Sequence, residues 1–213
     1  MSTSTITRHA RRLLAPALLM YGAVAAPMFV WPGLVARVAD HCGGLSALDV
    51  RGYWTAADAR SLVQACGADG RAAYLHLQLL DLVYPAVGGA ALLLVTALLA
   101  RRYGGLAWAL LIPVIAMTVL DYAENVSVWT LLLQWPHVDP TVAAIGGPIT
   151  AVKRVAGFAT FTIPIVLGAI EAVRYARTRR DPAAPPNASL RHKAFAITRR
   201  FLTLSPSEPR AGA

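Results

Sequence analysis

The sequence predicts an all-α polytopic membrane protein, a four-helix transmembrane bundle with a structured outer loop. Of its 213 residues, 56% are hydrophobic and only 15% are charged, a balance that soluble domains rarely show. The apolar residues are concentrated in four stretches, each close to the roughly 20 residues that a helix needs to cross a bilayer. These stretches lack the polar residues at helical period that a soluble bundle carries. The predicted spans are residues 13–31, 74–100, 106–133 and 150–173.

The first span follows a basic lead, residues 1–12. Its basic flank and the small residues "AVAA", which end at Ala26, are also typical of a cleavable signal peptide. Pro27 directly follows that site and disfavours cleavage, and the apolar run continues through "PMFVW". We therefore expect a retained first span rather than a signal peptide.

The outer loop, residues 32–73, holds the only two cysteines of the chain, Cys42 and Cys66. On the outer side of a bacterial membrane they meet an oxidising environment. A disulfide would close a loop of about 25 residues and stabilise the fold by about 3 kcal/mol. Two free thiols are the alternative. We predict the disulfide.

The second span is predicted to be preceded by a short helix. Within "TAADARSLVQACG", Thr55 and Asp58 have the spacing of a capping box, and Gly67 suits a helix end. Asp69 then has the position of a cap for a second helix, which is predicted to continue without a break to Ala100.

The rest of the membrane domain, which spans residues 13–177 in all, is predicted to turn twice. "RRYGG" forms a tight turn before the third span, and the fourth helix runs from near Thr141 to about Arg177. Residues 178–213 form a Pro-rich, basic tail. Its segment "SLRHKAFAITRRFLTL" predicts an amphipathic helix on the inner leaflet, with a disordered basic tail as the alternative.

The formal net charge of +9 is a topology signal rather than a sign of nucleic-acid binding. Arginines flank the spans at the two termini and at residues 101–105, whereas those of the outer loop are balanced by aspartates. Because positive flanks stay inside, both termini and the 101–105 turn are predicted in the cytoplasm. The same residues attract anionic lipid. Abundant arginine and alanine are typical of GC-rich bacterial genomes, so we expect the bacterial plasma (inner) membrane.

Charged residues inside the spans predict a polar cluster. In "DYAENV", Asp121, Glu124 and Asn125 share one helix face. Asp81, Asp121 and Lys153 each lie about 20 residues from the arginines at the cytoplasmic ends of their helices, or about 30 Å. Because a charge that faces lipid alone costs several kcal/mol, these residues are predicted to converge near the outer membrane face.

The predicted cluster contains more acids than bases, three against two. Pro85 has no N–H, so the carbonyl of Asp81 is expected to lack its helical partner. The sequence does not decide whether Lys153 or Arg154 faces the cluster, because neighbours on a helix point about 100° apart. The predicted ligand-binding residues are Asp81, Asp121, Glu124, Asn125, Lys153, Arg154, Gln78 and Tyr84, with His76 at the edge.

Other chemistries lack support in the sequence. Walker, G-x-S-x-G, H-E-x-x-H and dinucleotide motifs do not occur, so no cofactor is predicted. His41 lies beside Cys42, but no second close pair completes a zinc site, and no metal is predicted. Polar contacts between membrane helices also occur as purely structural links of about 0.6–2 kcal/mol.

The stretches "LDLVYP" and "DYAEN" resemble those of a group of bacterial four-span membrane proteins without an assigned activity. The resemblance covers residues 49–173 and implies the same topology. The four-span layout with carboxylates near one membrane surface is also similar to the sterol-isomerase-like (EXPERA) family. That similarity concerns architecture, and no residue of the family's pattern is carried over.

Three classes of function follow from these expectations. The favoured one is a site near the outer face that binds or processes a small amphipathic or lipid-like molecule, with membrane lipid as the partner. The second is a proton- or cation-coupled carrier in which the surplus carboxylate titrates. The third is a structural or partner-binding subunit without catalysis. Nucleic acid is not an expected partner, and the sequence does not specify an oligomeric state.

Overall fold

The computed structural model of the chain describes residues 3–30 and 32–180. This part is all-α and contains no strand. The helices are α1 (Thr3–Phe29), α2 (Leu34–His41), α3 (Ala56–Asp81), α4 (Tyr84–Ala100), α5 (Leu106–Leu133) and α6 (Pro140–Arg180), with 3-10 turns at Leu48–Val50 and Arg101–Tyr103. The helix predicted in the C-terminal tail lies outside the described residues.

Four helical segments are long and apolar enough to cross a membrane, which confirms the predicted all-α, four-span class. They are Arg12–His41, Ala56–Tyr103, Leu106–Leu133 and Pro140–Arg179. Chain contacts divide the protein into two units, Met1–Ala169 and Ile170–Ala213. The first unit holds the site described below. Within the second, Arg174 forms a salt bridge with Glu171 at 3.0 Å.

The start of α3 and its kink follow the local signals in the sequence. The Thr55 hydroxyl accepts a hydrogen bond from the Asp58 amide at 3.2 Å, and the Asp58 carboxylate accepts one from the Thr55 amide at 2.7 Å. This capping box is the predicted one. Gly67 interrupts the helix with φ +60°, a left-handed conformation that glycine adopts without steric cost.

The predicted disulfide between Cys42 and Cys66 is present and joins α2 to α3. Gly70 makes this approach possible, because a Cβ atom there would lie 2.8 Å from the Cys42 sulfur. A core of large buried side chains surrounds the bridge and includes Trp54 and Tyr74. We call this end of the bundle the disulfide end.

The predicted continuous helix from Asp69 to Ala100 is wrong, because the chain breaks between α3 and α4. The helix ends at Asp81 and a new one begins at Tyr84. Pro85 is the physical reason, since it cannot donate to the carbonyl of Asp81. The prediction that this carbonyl lacks its helical partner is correct.

After the break, small residues of α4 allow its neighbouring helices to approach closely. A Cβ atom at Gly89 of α4 would lie 2.4 Å from the Thr118 hydroxyl of α5. A Cβ atom at Gly88 would lie 3.0 Å from the ring of Tyr21 on α1. Such contacts are the usual way in which membrane helices gain packing energy.

Candidate functional site

Lys153 of α6 is the base that faces the acidic cluster. Its ammonium lies 2.9 Å from the Asp121 carboxylate and also forms a salt bridge with Glu124. It donates a third hydrogen bond, of 3.3 Å, to the backbone carbonyl of Asp49. A lysine ammonium has three N–H donors, so these three acceptors use all of them.

Arg154, the alternative base, points elsewhere. Its guanidinium donates to the carbonyl of Val50 at 3.0 Å and lies 3.5 Å from the position of a Cβ atom at Gly52. It is exposed and makes no salt bridge with any residue of the described ranges. The structure therefore resolves the ambiguity between the two neighbours in favour of Lys153.

Glu124 is fully buried and links α5 to α6 through a second route. Thr150 of α6 donates its hydroxyl to the Glu124 carboxylate and accepts a hydrogen bond from the Trp54 indole at 2.9 Å. Two glycines of α6 admit the Trp54 segment. A Cβ atom would lie 2.4 Å from the Trp54 ring at Gly146, and 1.9 Å from the Trp54 carbonyl oxygen at Gly147.

Asp49 joins the cluster as a fourth acid, which was not predicted from the sequence. The Tyr74 hydroxyl donates to one of its carboxylate oxygens at 3.1 Å, and the Gln78 amide donates to the other at 2.9 Å. Burial raises the pKa of the Asp49 carboxyl, while the charge of Lys153 and the hydroxyl of Tyr74 oppose this rise. Asp49 lies in the three-residue 3-10 turn Leu48–Val50, which is too short for a helical period to signal its position. The only hint is its place within the disulfide-closed loop.

Asp81, at the end of α3, differs from the other acids. Its backbone carbonyl accepts a hydrogen bond from the Asn125 amide at 3.1 Å. The residue is only 5% exposed, yet its carboxyl group makes no salt bridge within the described part of the chain. Asp49, Asp121 and Glu124, in contrast, each accept bonds from a named donor. Asp81 is thus a buried acid without a counter-ion.

A cavity of about 310 Å³ opens in front of these acids. Part of its wall is apolar and part is charged. The apolar part consists of Met28, Phe29, Val35, Val50, Leu77, Met117 and Gly157, and the polar part of Asp49, Arg51, Asp81, Tyr84, Asp121, Thr150, Lys153 and Arg154. The cavity is therefore lined by residues from α1, α3, α4, α5 and α6 and from the segment between α1 and α3.

The eight residues predicted from the sequence divide into two groups. Those that line the cavity are Asp81, Tyr84, Asp121, Lys153 and Arg154. Those that are buried behind its wall are Gln78, Glu124 and Asn125. Tyr84 pairs its hydroxyl with that of Tyr21 at 3.1 Å, and His76 is exposed. The wall residues that were not predicted include Arg51 and Asp49.

Two acceptor atoms beside Asp81 have no donor. They are the amide oxygens of Gln78, one turn earlier on α3, and of Asn125, whose nitrogen binds the Asp81 carbonyl. Buried amide oxygens normally accept at least one hydrogen bond. Trp129, one turn after Asn125 on α5, has a buried indole N–H without an acceptor, so the unpaired polar atoms include a donor as well as acceptors.

The described residues contain no group of three or more His, Cys, Asp or Glu side chains arranged to hold a metal ion. Comparison of the chain with protein-family models, with curated proteins and with solved structures finds no match.

Proposed function

We propose that the protein binds a small amphipathic or lipid-like molecule in the cavity at the disulfide end. The single observation that carries the proposal is the division of the cavity wall into an apolar part and a charged part. Its volume of about 310 Å³ lies within the range of ligand pockets. Phe29 both lines the cavity and is exposed, so the apolar wall continues to the outside of the bundle.

We further propose that the disulfide end faces the outside of a bacterial plasma membrane and that both termini are cytoplasmic. Arginines at both ends of the chain and in the 101–105 turn support this orientation through the positive-inside rule. The Cys42–Cys66 bridge supports it independently, since disulfides persist in oxidising compartments.

A purely structural role is the second candidate, and the Lys153 contacts favour it. Salt bridges to Asp121 and Glu124 fix α6 to α5 whether or not a ligand binds. A structural lock alone, however, gives no use to the unpaired carboxylate of Asp81 or to the space in front of it.

Filling the cavity tests the proposal. Gly157 lines the cavity on α6, and a Cβ atom there meets only Met117, at 3.6 Å. Gly157→Leu should therefore place its side chain in the cavity. Gly168→Leu is the matched control on the same helix, because a Cβ atom there meets nothing within 4 Å.

The full-length protein would be purified in a mild detergent, and retained amphiphiles would be identified by native mass spectrometry. We expect a bound molecule in the wild type and in Gly168→Leu, and its loss in Gly157→Leu. If the wild type retains no amphiphile, or if the two leucine variants retain it equally, the proposal is wrong.

A further inference from the structure

Resting on the proposed function, we infer that the cavity takes a zwitterionic headgroup, with a primary ammonium at Asp81 and an adjacent phosphate at Arg154. Ethanolamine phospholipids and free phosphoethanolamine share this chemistry. The geometry that points to it is an acid without a salt bridge in the buried wall of the cavity, Asp81, and a cation without a salt bridge at an exposed position of the same wall, Arg154, both within the described residues.

Asp81 is the acid of the cavity wall that Lys153 does not neutralise. Lys153 has no free N–H, because Asp121, Glu124 and the Asp49 carbonyl use all three. Two of these acceptors are buried carboxylates, so Lys153 neutralises Asp121 and Glu124 rather than Asp81. A buried carboxylate without a partner is costly, so Asp81 favours a ligand that carries its own positive charge.

The choice of a primary ammonium follows from hydrogen bonding to Asp81. The Asp81 carboxyl group lines the cavity and makes no salt bridge in the described part of the chain, so its oxygens can accept hydrogen bonds from a ligand. A primary ammonium has three N–H groups to donate, whereas a quaternary ammonium has none. Headgroups with an ethanolamine-type amine should therefore bind better than those with a choline-type amine.

Arg154 would bind the phosphate of the headgroup. It lines the cavity and uses one of its guanidinium nitrogens on the Val50 carbonyl. A guanidinium has five N–H donors in a planar fork, which leaves most of them free for a phosphate. Because Arg154 is exposed and Asp81 is buried, the ammonium end lies deeper than the phosphate.

The volume of the cavity suits a headgroup rather than a whole lipid. A volume of about 310 Å³ lies at the small end of the range of ligand pockets, roughly 300–1,000 Å³. The acyl chains of a phospholipid would then remain outside, next to exposed apolar side chains such as Phe29 and Phe158.

The test compares three lipids on the full-length protein in nanodiscs. Phosphatidylglycerol forms the background, and phosphatidylethanolamine or phosphatidylcholine is titrated into it, with binding read by native mass spectrometry. Wild-type protein should bind phosphatidylethanolamine about tenfold or more tightly than phosphatidylcholine. Equal binding of these two lipids, or a preference for phosphatidylglycerol, overturns the inference without any variant being needed.

Two variants separate the two ends of the headgroup. Asp81→Asn should abolish the preference for ethanolamine over choline. Arg154→Gln should weaken both lipids by a similar factor, because the phosphate is common to them, and Arg60→Gln is the control at an exposed arginine outside the cavity. A preference that persists in Asp81→Asn, or a loss in Arg60→Gln equal to that in Arg154→Gln, contradicts the assignment.

Free phosphoethanolamine, added as a competitor, distinguishes the source. Competition by the free compound at concentrations similar to those of the lipid identifies a soluble ligand, and competition only at far higher concentrations identifies the lipid. Both results support the headgroup class. If no amphiphile binds in any arm and Gly157→Leu changes nothing, the proposed function itself fails, which is a different result from equal binding of the lipids.

Discussion

The backbone carbonyl of Asp81 accepts a hydrogen bond of 3.1 Å from the side-chain amide of Asn125. The neighbouring carbonyl of Leu82 accepts one of 3.0 Å from the Tyr122 hydroxyl. The segment "LDLVYP" forms the break between α3 and α4, and "DYAEN" on α5 supplies donors to the carbonyls at that break. The two sequence segments are therefore parts of one structure, in which a broken helix is repaired from its neighbour.

Replacing Asn125 by Ala should destabilise the protein by about 1–3 kcal/mol, because the Asp81 carbonyl is left buried without a donor. Unfolding of the purified protein in mixed micelles, followed by circular dichroism, measures the loss. The cost should shrink in a Pro85→Ala background, because alanine restores the backbone N–H that a continuous helix would use. Equal costs in the two backgrounds would show that the Asn125 bond does not compensate for the proline.

The Lys153 contacts predict a strong, partly reversible loss of stability. Lys153→Met leaves Asp121 and Glu124 buried without a cation, which should cost about 3–5 kcal/mol. Adding Glu124→Gln removes one of the two uncompensated charges and should recover part of this loss. The same unfolding measurement applied to the two single variants and the double variant gives the coupling energy.

If the double variant is no more stable than Lys153→Met alone, the salt bridges of Lys153 do not hold α6 to α5 in the way proposed. Asp81→Asn serves as the comparison, because Asp81 makes no salt bridge in the described structure. Asp81→Asn should leave the free energy of unfolding unchanged or raise it. Neutralising Asp121 or Glu124, which bind Lys153, should lower it.

Features that depend on composition and local spacing can be predicted from the sequence, whereas contacts between distant segments cannot. The spans, the capping box of Thr55 and Asp58, and the common level of Asp121 and Lys153 follow from composition, local spacing and helical rise. The break after Asp81 was not predicted, because a proline alone does not show whether a helix bends or ends. Its repair depends on Asn125, which is distant in sequence and adjacent only in the fold.

Asp49 shows the same limit for the site. In the sequence it is one of several loop aspartates that balance loop arginines. Its burial depends on Tyr74 and Gln78, which bind its two oxygens from α3. Whether Lys153 or Arg154 faces the acids depends on how α6 is rotated about its axis. Helical periodicity does not determine that rotation unless the positions of the neighbouring helices are known.

Asp49 predicts a pH dependence of definite sign. Because burial raises its pKa in the folded state, the folded protein binds a proton more readily there than the unfolded chain does. The stability that protonation gives is present at low pH and is lost as the pH rises through the folded-state pKa. Relative to wild type, Asp49→Asn should therefore become more stable as the pH increases above 3.8, the ordinary pKa of an aspartate carboxyl group. Chemical denaturation at several pH values measures this difference.

Asp139 provides a control of opposite sign. Its carboxylate accepts a hydrogen bond from the Thr141 amide at 2.8 Å, which lowers its pKa. Its contribution is present above the unfolded pKa and is lost as the pH falls, so Asp139→Asn should be closest to wild type at low pH. If both variants change in the same direction with pH, the assignment to Asp49 is wrong.

Two glycines of α6, Gly147 and Gly157, predict opposite tolerance to a methyl group. At Gly147 a Cβ atom would lie 1.9 Å from the carbonyl oxygen of Trp54, a backbone atom that cannot rotate away. Gly147→Ala should therefore move the Trp54 segment off α6 and weaken the hydrogen bond from the indole to Thr150. At Gly157 the nearest atom is the Met117 sulfur at 3.6 Å, an ordinary contact.

We expect Gly147→Ala to lower the free energy of unfolding by about 1–3 kcal/mol, because overpacking at this contact requires a backbone shift. Gly157→Ala should be as stable as wild type, since alanine is also the better helix former. Tryptophan fluorescence during unfolding, in a background with the other four tryptophans replaced by phenylalanine, reports both the loss of stability and any exposure of Trp54. Equal stability of the two variants would mean that the Trp54 segment is not held against α6 as described, and the polar chain from Trp54 through Thr150 to Glu124 would then lack its first member.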